Sequence, residues 1–281
     1  MLTGGITNRN LLVHVGAEQF VLRLAGKDTH LLNIDRRVER EATERAASLG
    51  ISPDVVAFLE PEGYLVTRFV SGAEMAPDEF RTSARLDTIC GALRAFHASG
   101  PLAGVFDCFR VPGQHRDAAM SRGVRIPAAY EQAAAYASEI EQAFYATPEP
   151  RVPCHNDLLS ANFLADGDRV WLIDWEYAGM NDRYFDLGNL ATNNDFDAGT
   201  ETALLDAYFG AVTARRAARL ALMKVMSDFR EAMWGVVQQG ISTLDFDYEA
   251  YASTHFDRLL RAASHPDYGR WLADAATPDP S

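Results

Sequence analysis

Residues 153–177 read Pro-Cys-His-Asn-Asp-Leu-Leu-Ser-Ala-Asn-Phe-Leu-Ala-Asp-Gly-Asp-Arg-Val-Trp-Leu-Ile-Asp-Trp-Glu-Tyr. Within this stretch His155, Asp157 and Asn162 stand in the pattern His-x-Asp-x-x-x-x-Asn. A turn signal, Asp166-Gly167-Asp168, and a short apolar run ending at Asp174 follow. An Asp and an Asn five residues apart, with a second Asp beyond a hairpin, is the layout that phosphoryl transfer from ATP requires. Asp157 would orient the attacking hydroxyl and take its proton. The amide oxygen of Asn162 and the carboxylate of Asp174 are hard oxygen donors of the kind that hold Mg²⁺ against phosphates.

Working outward, the chain of 281 residues is long enough for two parts with cores of their own. It is 48% hydrophobic and 23% charged, an ordinary globular composition. No apolar run reaches membrane-spanning length, and the N-terminus carries no secretory pattern. The three cysteines, Cys90, Cys108 and Cys154, follow no disulfide or zinc spacing, so a reducing cytoplasm is expected. A net charge of −13 argues against a nucleic-acid partner. It is equally compatible with steering of a cationic substrate and with plain solubility.

The N-terminal third reads as strands. Leu11–Val15 and Phe20–Leu24 flank the turn Gly16-Ala17-Glu18, which predicts a β-hairpin. A helix is predicted over Arg36–Ser48, closed by Gly50, with Val38, Ala42, Ala46 and Leu49 on one stripe. Val55–Leu59 and Tyr64–Val70 read as two more strands, and Ser71-Gly72 as a hinge. Beyond it the pattern is mainly helical, over about 77–99, 127–146, 200–214, 217–240 and 248–264. The expected division is therefore a nucleotide-binding part at 1–72 and a helical part at 73–281 that carries the catalytic loop.

The loop resembles that of the protein-kinase-like fold, with Ile173-Asp174-Trp175 where protein kinases carry Asp-Phe-Gly. It lacks their His-Arg-Asp, which points to the small-molecule kinases of that fold. His155-Asn156-Asp157-Leu158, Ile173–Gly179 and Phe185-Asp186-Leu187-Gly188-Asn189 together resemble the choline/ethanolamine kinase family. Met233-Trp234-Gly235 and Phe246–Tyr251 extend the likeness, which runs from Gly4 to about residue 260. The aminoglycoside phosphotransferases are more distant relatives. The resemblance implies a bilobal α+β fold with a small strand-rich N-lobe and a larger helical C-lobe. It implies an ATP- and Mg²⁺-dependent kinase acting on the hydroxyl of choline, ethanolamine or a related amino alcohol. An aminoglycoside or other hydroxyl kinase, and a catalytically inactive binding protein, are the competing readings.

The resemblance also assigns positions. Gly4, Gly5, Thr7 and Asn8 match the loop over the ATP phosphates, with only Met1-Leu2-Thr3 before it, too few for a preceding strand. Arg23 takes the place of the strand lysine that binds the phosphates. Glu39 and Glu41 compete to be its helix partner, and the phase of the apolar stripe favours Glu39. The hinge backbone near Arg68–Val70 would meet the adenine. His155 is expected to brace the loop rather than act as base, and Asp186 to buttress it. Glu176, Tyr177, Trp234, Tyr248 and Tyr251 are the expected substrate contacts, because a quaternary ammonium is bound by aromatic faces. The chain departs from the family where Val237 stands in place of a second Trp, and where Asn193, near Asp195, replaces an expected acid.

Overall fold

The computed structural model describes residues 9–24, 26 and 29–279, with the backbone alone at residue 30. Gly4, Gly5, Thr7 and Asn8 lie outside the described residues. Contacts group the chain into two units: the residues up to Val105 with Val152–Met180, and Phe106–Arg151 with Asn181 onward.

The first unit opens with four antiparallel strands in the order β1-β2-β4-β3. These are β1 Arg9–Val15, β2 Glu18–Leu24, β3 Val55–Leu59 and β4 Tyr64–Arg68. The β1–β2 hairpin pairs Val13 with Phe20 and turns at Gly16, whose φ of +61° suits a residue without Cβ. Helix α1, Arg36–Ser48, starts where the Asp35 side chain accepts the Arg37 N–H at 2.9 Å. The Arg37 guanidinium, which donates to Asp35 Oδ2 at 2.9 Å, and secondarily that backbone N–H, hold the Asp35 carboxyl below the usual range. Val38, Ala42 and Ala46 are buried as the stripe predicts, but Leu49 is 43% exposed. Leu49 is the C-cap, and the chain turns away at Gly50 before that position can face the core.

Residue 72, read as a hinge, lies inside this unit. Directly after it β5, Ala73–Glu74, pairs with β7, Phe163–Asp166, which pairs with β8, Arg169–Leu172. Between them in sequence come α2, Ser83–His97, capped by Thr82, and β6, Val152–Cys154. The helix predicted over 77–99 is shorter at its start because residues 79–81 form a 3₁₀ turn before the cap. The β7–β8 hairpin turns at Gly167, in the predicted Asp-Gly-Asp signal. The Leu172 N–H donates to Ile51 O at 2.9 Å and so ties β8 to the end of α1.

The second unit is helical among its described residues: α3 Val111–Ser121, α4 Ala129–Ala146, α5 Arg183–Asn193, α6 Ala198–Phe209, α7 Ala214–Ile241, α8 Tyr248–Ala263 and α9 Tyr268–Ala275. Helix α7 is the axis, packed by α8, α5, α3 and α9. It is apolar on most faces between Ala218 and Val237, as a helix enclosed by others must be. Side-chain caps begin α5, α6, α7 and α8, from Asp182, Asp197, Thr213 and Asp247. A Cβ on Gly188 of α5 would lie 2.7 Å from the Met223 carbonyl carbon of α7, so these two helices approach backbone to backbone. All three cysteines are buried, none in a disulfide, and burial pushes the Cys90 thiol up to about 12. No helix among the described residues is long and apolar enough to cross a membrane.

Candidate active site

In the first unit the segment between β6 and β7 is fixed by its own side chains. Asn156 adopts φ +67°, a conformation Asn tolerates, and its amide donates to Tyr177 O at 3.0 Å and Cys154 O at 3.3 Å. The Asp157 N–H donates to His155 Nδ1 at 3.2 Å, which puts the imidazole proton on Nε2. Nε2 then donates to Ile173 O at 3.0 Å, one residue before Asp174. His155 thus links the Asp157 segment to the end of β8, and its ring packs 4.5 Å from Trp175. Neither ring nitrogen is left for proton transfer.

Asn162 and Asp174 are brought side by side through the main chain, where the Ile173 N–H donates to Asn162 O at 3.0 Å. The Asn162 amide nitrogen donates to Asp157 O at 2.7 Å and lies 3.5 Å from Asp157 Oδ2. With the nitrogen so engaged, the oxygen is the end available to a cation. Asp174 has φ +65°, a sparsely populated conformation for a residue with a Cβ, of the kind that collects at functional sites.

Arg23 reaches Asp174 Oδ1 at 2.5 Å and also pairs with Glu39. Glu39 accepts in turn from Arg36 at 2.6 Å, and Arg36 lies 3.3 Å from Glu176. Arg23, Glu39 and Glu176 are all less than 10% exposed. Burial holds the Arg36 guanidinium below its usual pKa, opposed by Glu176. Two guanidiniums therefore face three carboxylates (Glu39, Asp174, Glu176), which leaves one negative charge over. Hard oxygen donors with an excess of negative charge fit Mg²⁺. Of the two competing helix acids, Glu39 meets Arg23. Glu41 pairs with Arg45 at 2.6 Å and accepts the Ala103 N–H at 3.1 Å. Arg36 was missed in the sequence, although its place three residues before Glu39 was a signal.

The remaining expected residues of this unit are placed as follows. Arg68 is exposed and pairs with Glu18 at 2.9 Å, while its N–H extends the sheet to Asp54 O. Val70 follows β4, half-buried. Glu176 is engaged by Arg36, and Tyr177 is buried with its carbonyl on Asn156.

In the second unit Asp186 sits fully buried in the first turn of α5. Trp234 of α7 packs edge-on to Tyr248 and Tyr251 of α8, with ring centroids 5.9 and 5.6 Å away. Trp234 and Tyr248 are buried and Tyr251 is half-buried. Phe246, 42% exposed, leans on both tyrosines at 4.8 and 5.9 Å. The structure adds residues that the sequence reading left without a role. Glu231 accepts from Arg230 at 2.6 Å and from the Tyr251 hydroxyl at 2.8 Å. Asp228, one turn earlier, takes His255 at 2.8 Å and Arg258 at 2.6 Å. Two acids within the buried, mainly apolar stretch Leu220–Val237 were the signal, because a buried carboxylate persists only with partners.

Residues 2–221 match the phosphotransferase enzyme family. The chain is similar to a crystal structure of a choline/ethanolamine kinase family protein from Mesorhizobium loti, with 33% identity and a TM-score of 0.83, covering 97% of this chain and 90% of that one. It is 27% identical to ethanolamine kinase 2 of Mus musculus, over 92% of this chain and 74% of that protein. It is 26% identical to the protein LicA of Haemophilus influenzae, over 73% of this chain but only 61% of LicA. The fold is thus the kinase-like α+β fold that the sequence predicted. The chain belongs to the phosphotransferase enzyme family, within its choline/ethanolamine kinase group.

Proposed function

We propose that this member of the choline/ethanolamine kinase group transfers the terminal phosphoryl group of ATP, with Mg²⁺, to the hydroxyl of choline, ethanolamine or a closely related amino alcohol. The observation that carries the proposal is the Asp157–Asn162–Asp174 set, braced by His155 and joined through Asp174 to Arg23 and Glu39.

In this reading Asp157 accepts the hydroxyl proton as the oxygen attacks phosphorus. Asn162 Oδ1 and Asp174 would hold Mg²⁺, which supplies positive charge against the phosphate oxygens. Arg23, kept in place by Glu39, presents a guanidinium to the phosphates. Gly4, Gly5, Thr7 and Asn8 take the role the resemblance gives them, closing over the phosphates with backbone N–H groups. The hinge backbone around Arg68 and Val70 would meet the base. Trp234, Tyr248 and Tyr251 would offer aromatic surface to the ammonium end. Glu176 and Tyr177 support this end less directly, since their contacts hold Arg36 and Asn156. A cytoplasmic location, where ATP is abundant, goes with this activity.

The test is ATP-dependent phosphorylation of a panel containing choline, ethanolamine and aminoglycosides, with Mg²⁺ and with chelator. The expected result is Mg²⁺-dependent turnover of an amino alcohol and none of the aminoglycosides. Preference for an aminoglycoside, or no turnover of any acceptor, would overturn the proposal.

A further inference from the structure

We propose that Glu231 is a positioning residue, which sets the Tyr251 ring as the aromatic wall for the ammonium end of the substrate. This rests on the amino-alcohol reading above. Glu231 is 1% exposed, and its two oxygens have different partners. Oε1 takes Arg230 Nη1 at 2.6 Å and lies 3.5 Å from Asn189 Nδ2. Oε2 accepts the Tyr251 hydroxyl at 2.8 Å. Burial alone would raise the carboxyl pKa, but Arg230, His255 and the Tyr251 hydroxyl reverse this and hold it below the usual range. The acceptor is therefore ionised, and a hydrogen bond to an ionised acceptor is roughly twice as strong as a neutral one.

Tyr251 is consequently fixed at its tip as well as its flank. Trp234 lies edge-on at 5.6 Å and 67°, and the His255 ring is 4.5 Å away. Gly235 completes the slot, because a Cβ there would come within 2.9 Å of Tyr251 Cδ1. Residues 231, 234 and 235 of a single helix thus define where this ring stands. The ring is half-buried, so part of it stays open to a ligand. A hydroxyl donating to a carboxylate also shifts electron density into its ring, which strengthens the attraction of the face for a cation.

Steady-state kinetics of the full chain with Mg²⁺-ATP and choline test this, using wild type, Glu231→Gln, Tyr251→Phe and the double variant. Each single change is expected to raise the KM for choline roughly three- to tenfold, the range a cation–π contact commands. The KM for ATP should hold within about twofold. The double variant should be no worse than the more severe single, because both remove one hydrogen bond. Effects that multiply, or a KM for ATP that rises alongside that for choline, would overturn the proposal. If Glu231→Gln fails to fold, Tyr251→Phe decides alone, and an unmoved choline KM sinks the idea. If the wild type phosphorylates no amino alcohol, the activity reading fails first. Calorimetric titration of tetramethylammonium into wild type and Tyr251→Phe then still decides, with weaker binding by the variant expected and equal binding, or none to either, overturning it.

Discussion

In the strand-rich unit, His155, Asp157, Asn162 and Asp174 are held by hydrogen bonds to main chain within twenty residues of one another. In the helical unit, Glu231, Trp234 and Tyr251 are held by two helices packing along their length, with the polar contacts made by side chains. The first arrangement specifies position through local sequence, so a short motif carries it. The second specifies position through the core, so its site residues are also packing residues. Substitutions in the first region should therefore separate activity from stability, and those in the second should mix the two.

The largest effect expected is at Asp157. Asp157→Asn keeps the shape of the loop and removes the proton acceptor, so kcat should fall roughly 10²–10⁴-fold or more. Nucleotide affinity should be largely spared, since Asp157 is not among the proposed metal ligands. Asp174→Ala should weaken both rate and Mg²⁺-ATP binding. Near-wild-type kcat in Asp157→Asn would remove it from the chemistry.

Next comes Glu39, where the strand-rich unit behaves like a core. Glu39→Gln leaves Arg23 and Arg36 facing a neutral amide in a buried setting, a change that costs about 3–5 kcal/mol in comparable pairs. Glu41→Gln two residues away removes only a part-exposed pair with Arg45 and should cost under about 1 kcal/mol. Chemical denaturation of the two variants compares them directly. Equal losses would mean that the Arg23–Glu39–Arg36 network contributes nothing special.

How much of this was readable beforehand follows the same division. Helix α1 was read to the residue because the Val38–Ala42–Ala46 stripe and Gly50 mark it, while its Asp35 cap emerges only from the structure. The β1–β2 hairpin was legible through its turn. Helices α3, α5 and α9 were not. The α3 stretch of 11 residues leaves Met120 59% exposed, so its stripe is weak. Helix α5 carries Gly188 and Asn189 mid-helix, which read as a motif and not as a helical pattern. Glu231 was passed over because periodicity identifies a buried helix but not which polar residue inside it finds partners.

Val237 marks the edge of that legibility. Its position one turn beyond Trp234 suggests from sequence that a tryptophan there would enlarge the aromatic surface. In the structure Val237 is fully buried in α7, so an indole there would have to displace its packed neighbours. Val237→Trp should therefore destabilise by about 1–3 kcal/mol or more through overpacking, without a gain in choline selectivity. A variant that melted like wild type and favoured choline would show that the helical unit can repack to admit substrate contacts.

The smallest effect expected separates charge from packing at Glu231. Its folded-state pKa lies below the ordinary carboxyl value, because Arg230, His255 and Tyr251 outweigh the burial that would raise it. A carboxyl whose pKa is depressed by folding adds stability above its unfolded pKa and loses it as pH falls through the folded one. Glutamine has the same shape and no charge, so Glu231→Gln should melt below wild type at pH 7. The gap should narrow steadily below about pH 4.3, the ordinary carboxyl range, as Glu231 itself becomes neutral. Each pKa unit of depression is worth about 1.4 kcal/mol, which sets the scale of the difference. A gap that stays constant from pH 7 into the acid range would mean that Glu231 stabilises by shape alone. The ionised carboxylate would then have no part in holding Tyr251, and the contrast between the two regions would lose its electrostatic half.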